Sequence, residues 1–137
     1  MTTAASAPRI SALDHLVLTV ADIAATCRFY EAVLGAEAEE FQVADGSTRW
    51  AVSFGVQKIN LHQAGQEFEP KSACPTPGSG DLCFLTTTPL ADWISHLTDQ
   101  GIAIEDGPVP RTGACGPMQS IYLRDPDQNL IEVAIYG

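Results

Sequence analysis

The feature that most constrains this 137-residue sequence is that it repeats itself. Leu13-Asp14-His15-Leu16-Val17-Leu18-Thr19-Val20 is an apolar, β-branched run of the kind that forms a strand, and apolar residues then recur at helical spacing at Ile23, Cys27, Tyr30, Val33 and Leu34. Asp22 stands where a helix N-cap belongs and Gly35 where a helix stops. The pattern returns with Asp81-Leu82-Cys83-Phe84-Leu85-Thr86 as a strand and Thr88-Pro89 as a cap followed by a favoured first helical residue. Leu90, Trp93, Ile94 and Leu97 form the second apolar stripe, and Gly101 ends it. His15 thereby falls on Asp81 and Gly35 on Gly101.

The later parts of the halves correspond as well. Residues 50–55 and 58–62 read as a hairpin whose counterpart is 120–127 followed by 129–136, with a turn at Asp125-Pro126-Asp127-Gln128-Asn129. Matching Ile59 to Ile131 puts Asn60 on Glu132 and Trp50 on Tyr122. Each half reads β-α-β-β-β, with the least pattern at 36–44 and 102–105. The length suffices for one core and not for two, so the expected architecture is a single α+β domain. Its expected divisions are a disordered tail at 1–9, modules of about 10–64 and 79–137, and a linker at 65–78. Two long loops are expected outside the repeat, at 63–79 and 106–118. The first is a candidate arm or cover, with Phe68 as its candidate anchor.

Composition excludes several classes of partner. Seven Lys+Arg against seventeen Asp+Glu give a net charge of −10, which repels phosphate backbones and anionic membranes. No apolar run approaches the roughly 20 residues that span a bilayer, and the N-terminus lacks the apolar core of a secretory signal. The four cysteines are scattered with no C-x-x-C, which points to free thiols in a reducing compartment, the cytoplasm. A cationic ligand held without metal is the reading the negative charge favours for a pure binding protein.

Ionisable residues inside apolar strands require pairing or a metal. His15, Asp81 and Glu132 interrupt such runs, as does Asn60, and the repeat relates them in pairs. Imidazole, carboxylates and an amide oxygen form a hard-to-borderline donor set suited to Mn, Fe(II), Ni, Zn or Mg. His62, two residues from Asn60, shares its strand face and is an equal candidate for the same position. Glu132 and Asp81 are the candidate catalytic carboxylates. Tyr122 and Arg111 are candidate substrate-binding residues, and Trp50 joins them through its match to Tyr122. Each also has a plain reading: His15 as a surface histidine, Asp81 as a turn residue, Glu132 as an outward-pointing strand residue, Asn60 as a loop-backbone partner and Arg111 as a solvated loop cation.

The segments at 13–22, Phe29-Tyr30 before Leu34-Gly35, and Leu123-Arg124-Asp125-Pro126-Asp127-Gln128-Asn129-Leu130-Ile131-Glu132 resemble the vicinal oxygen chelate superfamily. That group includes glyoxalase I, fosfomycin-resistance transferases, bleomycin-binding proteins and extradiol dioxygenases. Residues 57–62, 67–71 and 105–113 are similar to the subgroup called glyoxalase domain-containing protein 5, to which some bacterial virulence-associated proteins are similar. The resemblance implies two βαβββ modules in a U-shaped, partly open barrel around a divalent metal ion. It implies ligands at His15, Asn60, Asp81 and Glu132, a small-molecule substrate with vicinal oxygens, and a homodimer whose sites sometimes draw on both subunits. Glyoxalase I carries Glu or Gln where this chain has Asn60, and His or Gln where it has Asp81. The function expected on this resemblance is a metal-dependent, glyoxalase-like isomerase or lyase. The alternatives are a ring-cleaving dioxygenase, for which His62 would have to enter the shell, and a drug-binding resistance protein.

Overall fold

A computed structural model describes residues 7–137, so most of the tail expected at 1–9 lies outside the described residues. The elements run β1 (His15–Val20), α1 (Ile23–Ala32), β2 (Glu37–Gln42), β3 (Thr48–Phe54), β4 (Gln57–Gln63), β5 (Asp81–Leu85), α2 (Leu90–Asp99), β6 (Asp106–Gly113), β7 (Gly116–Arg124) and β8 (Leu130–Tyr136). They form two four-stranded sheets of identical topology, β1-β4-β3-β2 and β5-β8-β7-β6, not closed into a barrel. In each module the first strand lies parallel to the last, and the remaining pairings are antiparallel. The helix supplies the crossover that parallel pairing demands.

Period-two alternation gives each sheet two faces. One face packs with the helices in a shared core containing Leu18, Val20, Val52, Ile59 and Leu61 from the first module and Ile121, Leu123, Ile131 and Val133 from the second. The other face carries the polar residues. In α1, Asp22 Oδ1 accepts from the Ala25 amide at 3.2 Å, as its position in the sequence requires, and Thr26, Cys27 and Tyr30 are buried. The start of α2 differs from expectation. Pro89 occupies the cap position with no side-chain hydrogen bond. The hydroxyl at this turn belongs to Thr86 rather than Thr88: Thr86 Oγ1 accepts from the Thr88 amide and the Trp93 indole N–H, both at 3.0 Å.

The region expected to be a loop at 106–118 is a hairpin instead. β6 pairs along one side only, with β7, and its register shifts between Asp106 and Val109. Pro108 and Pro110 disguise this strand in the sequence, but an edge strand tolerates residues that cannot donate a ladder hydrogen bond. The matching of Trp50 to Tyr122 is also displaced. Asn60 lies opposite Ala51 and Glu132 opposite Tyr122, so Ala51 is the structural counterpart of Tyr122. Between these paired positions the second hairpin holds one residue more than the first, and a shift of one residue moves a side chain to the other face. Trp50 accordingly packs on the helix-side core.

The turn at 125–129 does more than reverse the chain. Asp125 is buried, and its carboxylate accepts four hydrogen bonds: from the Asp127 and Asn129 amides, from Asn129 Nδ2, and from the Tyr30 hydroxyl of the first module at 2.8 Å. Asn129 Oδ1 accepts from the Gly80 amide, and Asp127 Oδ1 accepts from the Ala21 amide. Burial, and then the Asp125 carboxylate, push the Tyr30 phenol far above its ordinary pKa. The repeat places His96 where the first module has Tyr30, and His96 Nε2 lies 2.9 Å from the Val33 carbonyl at the end of α1. Both helices thus reach into the opposite module from the same position.

Candidate functional site

On the first sheet the polar face carries His15, Val17 and Thr19 from β1 beside Lys58, Asn60 and His62 from β4. His15 Nδ1 lies 2.8 Å from Asp14 Oδ1. A carboxylate at Nδ1 favours the tautomer that leaves the Nε2 lone pair available to a metal ion or a proton. Asn60 Oδ1 is buried with no hydrogen-bond partner. An unsatisfied buried acceptor costs about 1–3 kcal/mol, so this oxygen is suited to a group that is not part of the single chain. His62 is buried, packs edge-on against Phe68 at 5.5 Å, and is held below its usual pKa by burial and then by Arg49.

On the second sheet the corresponding face carries Asp81 and Cys83 from β5 beside Glu132 from β8, with Tyr122 and Ser120 on β7. Ser120 Oγ donates to Glu132 Oε2 at 2.6 Å. Partial desolvation, followed by the Glu132 carboxylate, pushes the exposed Cys83 thiol up to about 11. Arg111 lies on strand β6 rather than in a loop. Its Nε donates to the Tyr122 hydroxyl at 2.8 Å, and its guanidinium is 3.7 Å from Asp106.

The candidates therefore fall into two groups. His15, Asn60 and His62 share one sheet face, and Asp81, Glu132, Tyr122 and Arg111 share the other; Trp50 belongs to neither. A groove of about 590 Å³ between the modules is bordered by both His15 and Asp81, together with Lys58 and Cys83, but not by Asn60 or Glu132. Among the described residues, no three His, Cys, Asp or Glu side chains converge on a point suited to a metal ion. Each face is open only in part: Val17 is 45% and Leu85 63% exposed, whereas Asn60 Oδ1 and His62 are buried. Asp14, Cys83 and Ser120 are not legible as site residues in the motifs alone. Adjacency to His15 and spacing of two from Asp81 point to the first two, whereas Ser120 requires the β7–β8 register.

This repeated α+β fold is that of a known superfamily. The profile of the Glyoxalase/Bleomycin resistance protein/Dioxygenase superfamily matches residues 12–133, and the chain belongs to that superfamily. It is 58% identical over 127 residues to virulence protein STM3117 of Salmonella typhimurium, covering 93% of this chain and 85% of that protein. It is 52% identical to the glyoxalase domain-containing protein RDO1 of Mycosarcoma maydis, covering 93% of this chain and 69% of that one. Among solved structures, a protein from the mobile metagenome of V. Pseudocholerae superposes with a TM-score of 0.91 at 55% identity, covering 96% of this chain and 99% of the other. No helix among the described residues is long and apolar enough to cross a membrane.

Proposed function

We propose that the protein is a divalent-metal-dependent, glyoxalase-like isomerase or lyase acting on a small molecule with two adjacent oxygens. The observation that carries this reading is the buried, unpartnered Asn60 Oδ1 on the same face as an imidazole whose Nδ1 is already engaged. With Asp81 and Glu132 at the repeat-related positions, the donors suit a hard or borderline divalent ion. Bound there, such an ion would supply Lewis-acid polarisation of the substrate oxygens. Glu132, held by Ser120, is the residue positioned to move a proton.

A homodimer completes the proposal. The donors lie in two halves, with His15 and Asp81 accessible, and a second copy of the chain would present Asp81 and Glu132 to His15 and Asn60. The test uses His15→Ala and Glu132→Ala variants of the untagged protein, with bound metal measured after each is purified. Each alone should lose its metal. Co-refolded in equal amounts they should regain about a quarter of the wild-type content, because half of the dimers are mixed and each of those holds one intact site. Metal retained at full stoichiometry by either variant would remove the proposed ligands. Metal lost by both with no recovery would remove the shared site. Turnover of methylglyoxal–thiol adducts by the metal-loaded protein tests the reaction itself, and binding without turnover would leave a sequestering protein.

A further inference from the structure

The irregular segment between the modules folds back over the first sheet. Pro70, Lys71, Ser72 and Pro75 from that segment, with Val17, Thr19 and His62 from the sheet, line a cavity of about 350 Å³. Its polar side chains are a lysine, a histidine and two hydroxyls, and none is a carboxylate. That composition stands out in a chain with seventeen acidic and seven basic residues. Arg49 stands behind this lining rather than in it: its guanidinium lies 3.3 Å from the centre of the Phe68 ring, which packs against His62, and its Nε donates to Ser47 Oγ at 3.2 Å. Among the described residues, Arg49 has no carboxylate within ion-pairing distance. Lys71 pairs with Glu69, a largely exposed residue, and an ammonium group has three donors to offer.

We infer that this cavity takes the carboxylate end of the substrate, with Lys71 as its direct counter-charge, Arg49 behind Phe68 as a more distant one, and Val17, Pro70 and Pro75 against its apolar carbons. The inference rests on the reading of Asn60 as part of the metal site. His62 follows Asn60 by two residues on one strand face, about 7 Å along the sheet. A substrate whose chelating oxygens meet Asn60 would therefore place its carboxylate several bonds away, under the covering segment. The substrate class is a small carboxylic acid carrying a separate pair of vicinal oxygens.

The test uses butyrate and its uncharged analogue butyramide with the full chain, freed of metal by a chelator and followed by NMR. Neither probe has vicinal oxygens, so the outcome does not depend on metal binding. Butyrate should shift the resonances of Val17, Thr19, His62 and Lys71 saturably. Butyramide should bind at least about ten-fold more weakly; Lys71→Gln should weaken butyrate by several-fold to about ten-fold, and the more distant Arg49→Gln by about two- to three-fold. Equal binding of the two probes, shifts centred elsewhere, no binding of either, or unchanged affinity in both variants would overturn the inference. Any of these would leave the metal experiment standing. Loss of the proposed metal ligands from that experiment would in turn leave the butyrate result intact.

Discussion

Replacing Tyr30 by Phe isolates one hydrogen bond between the modules. The ring is 1% exposed, and Phe keeps its packing while deleting only the hydroxyl that donates to Asp125 Oδ2 at 2.8 Å. A hydrogen bond to a charged group contributes about 1.5–3 kcal/mol. Asp125 keeps three other donors, including Asn129 Nδ2 on the same oxygen, so the lower part of that range applies, about 1.5–2 kcal/mol. In a domain of this size that corresponds to a fall in Tm of about 5–8 °C. Urea unfolding at pH 7 should show the loss as a lower midpoint with an unchanged slope. The pH dependence supplies a second check. The folded state holds the Tyr30 proton well above the unfolded value of about 10, so its contribution is present below that pH and lost as pH rises through the alkaline range. Wild type should lose up to about 1.4 kcal/mol per pH unit there, a component that Tyr30→Phe lacks. A loss below about 0.5 kcal/mol at pH 7, with the same alkaline slope in both proteins, would refute the role assigned to this bond.

Two further substitutions test local readings. Thr86→Val should cost about 1–2 kcal/mol by removing the acceptor of the part-buried Trp93 indole N–H, while Thr88→Ala should stay within about 0.5 kcal/mol; thermal melts of the two variants decide which threonine matters. Gly107→Ala should destabilise by more than about 1 kcal/mol in urea unfolding, because Gly107 has φ +103° and an added Cβ would sit 2.4 Å from the Ser120 carbonyl oxygen.

The repeat is legible in the sequence because strand and helix periodicities occur twice in the same order, and it locates the polar positions on β1, β4, β5 and β8. What stays hidden depends on register and edges. Trp50 falls on Tyr122 in the sequence match because one extra residue in the second hairpin has no signature in the alternation of either strand. β6 reads as a loop because its prolines exclude a central strand but not an edge. The buried role of Asp125 is invisible because Asp-Pro-Asp is also an ordinary turn sequence, and its partner Tyr30 is distant in the chain. Nothing local in the sequence distinguishes Asn60 Oδ1 as an acceptor without a donor; that follows only from the packing around it.

A duplicated chain faces the danger that each half will pair with its own likeness. The matched helix positions resolve this by being unlike: the Tyr30 hydroxyl donates to a carboxylate turn present only in the second copy, and His96 meets a helix end in the first. Two first modules packed together would have two helix phenols and no Asp125, and two second modules would have two such turns and no phenol at the matched helix position. The pair is keyed, so the order of the halves is fixed by chemistry as well as by the covalent chain, and the two faces can diverge into different donor sets without exchanging places.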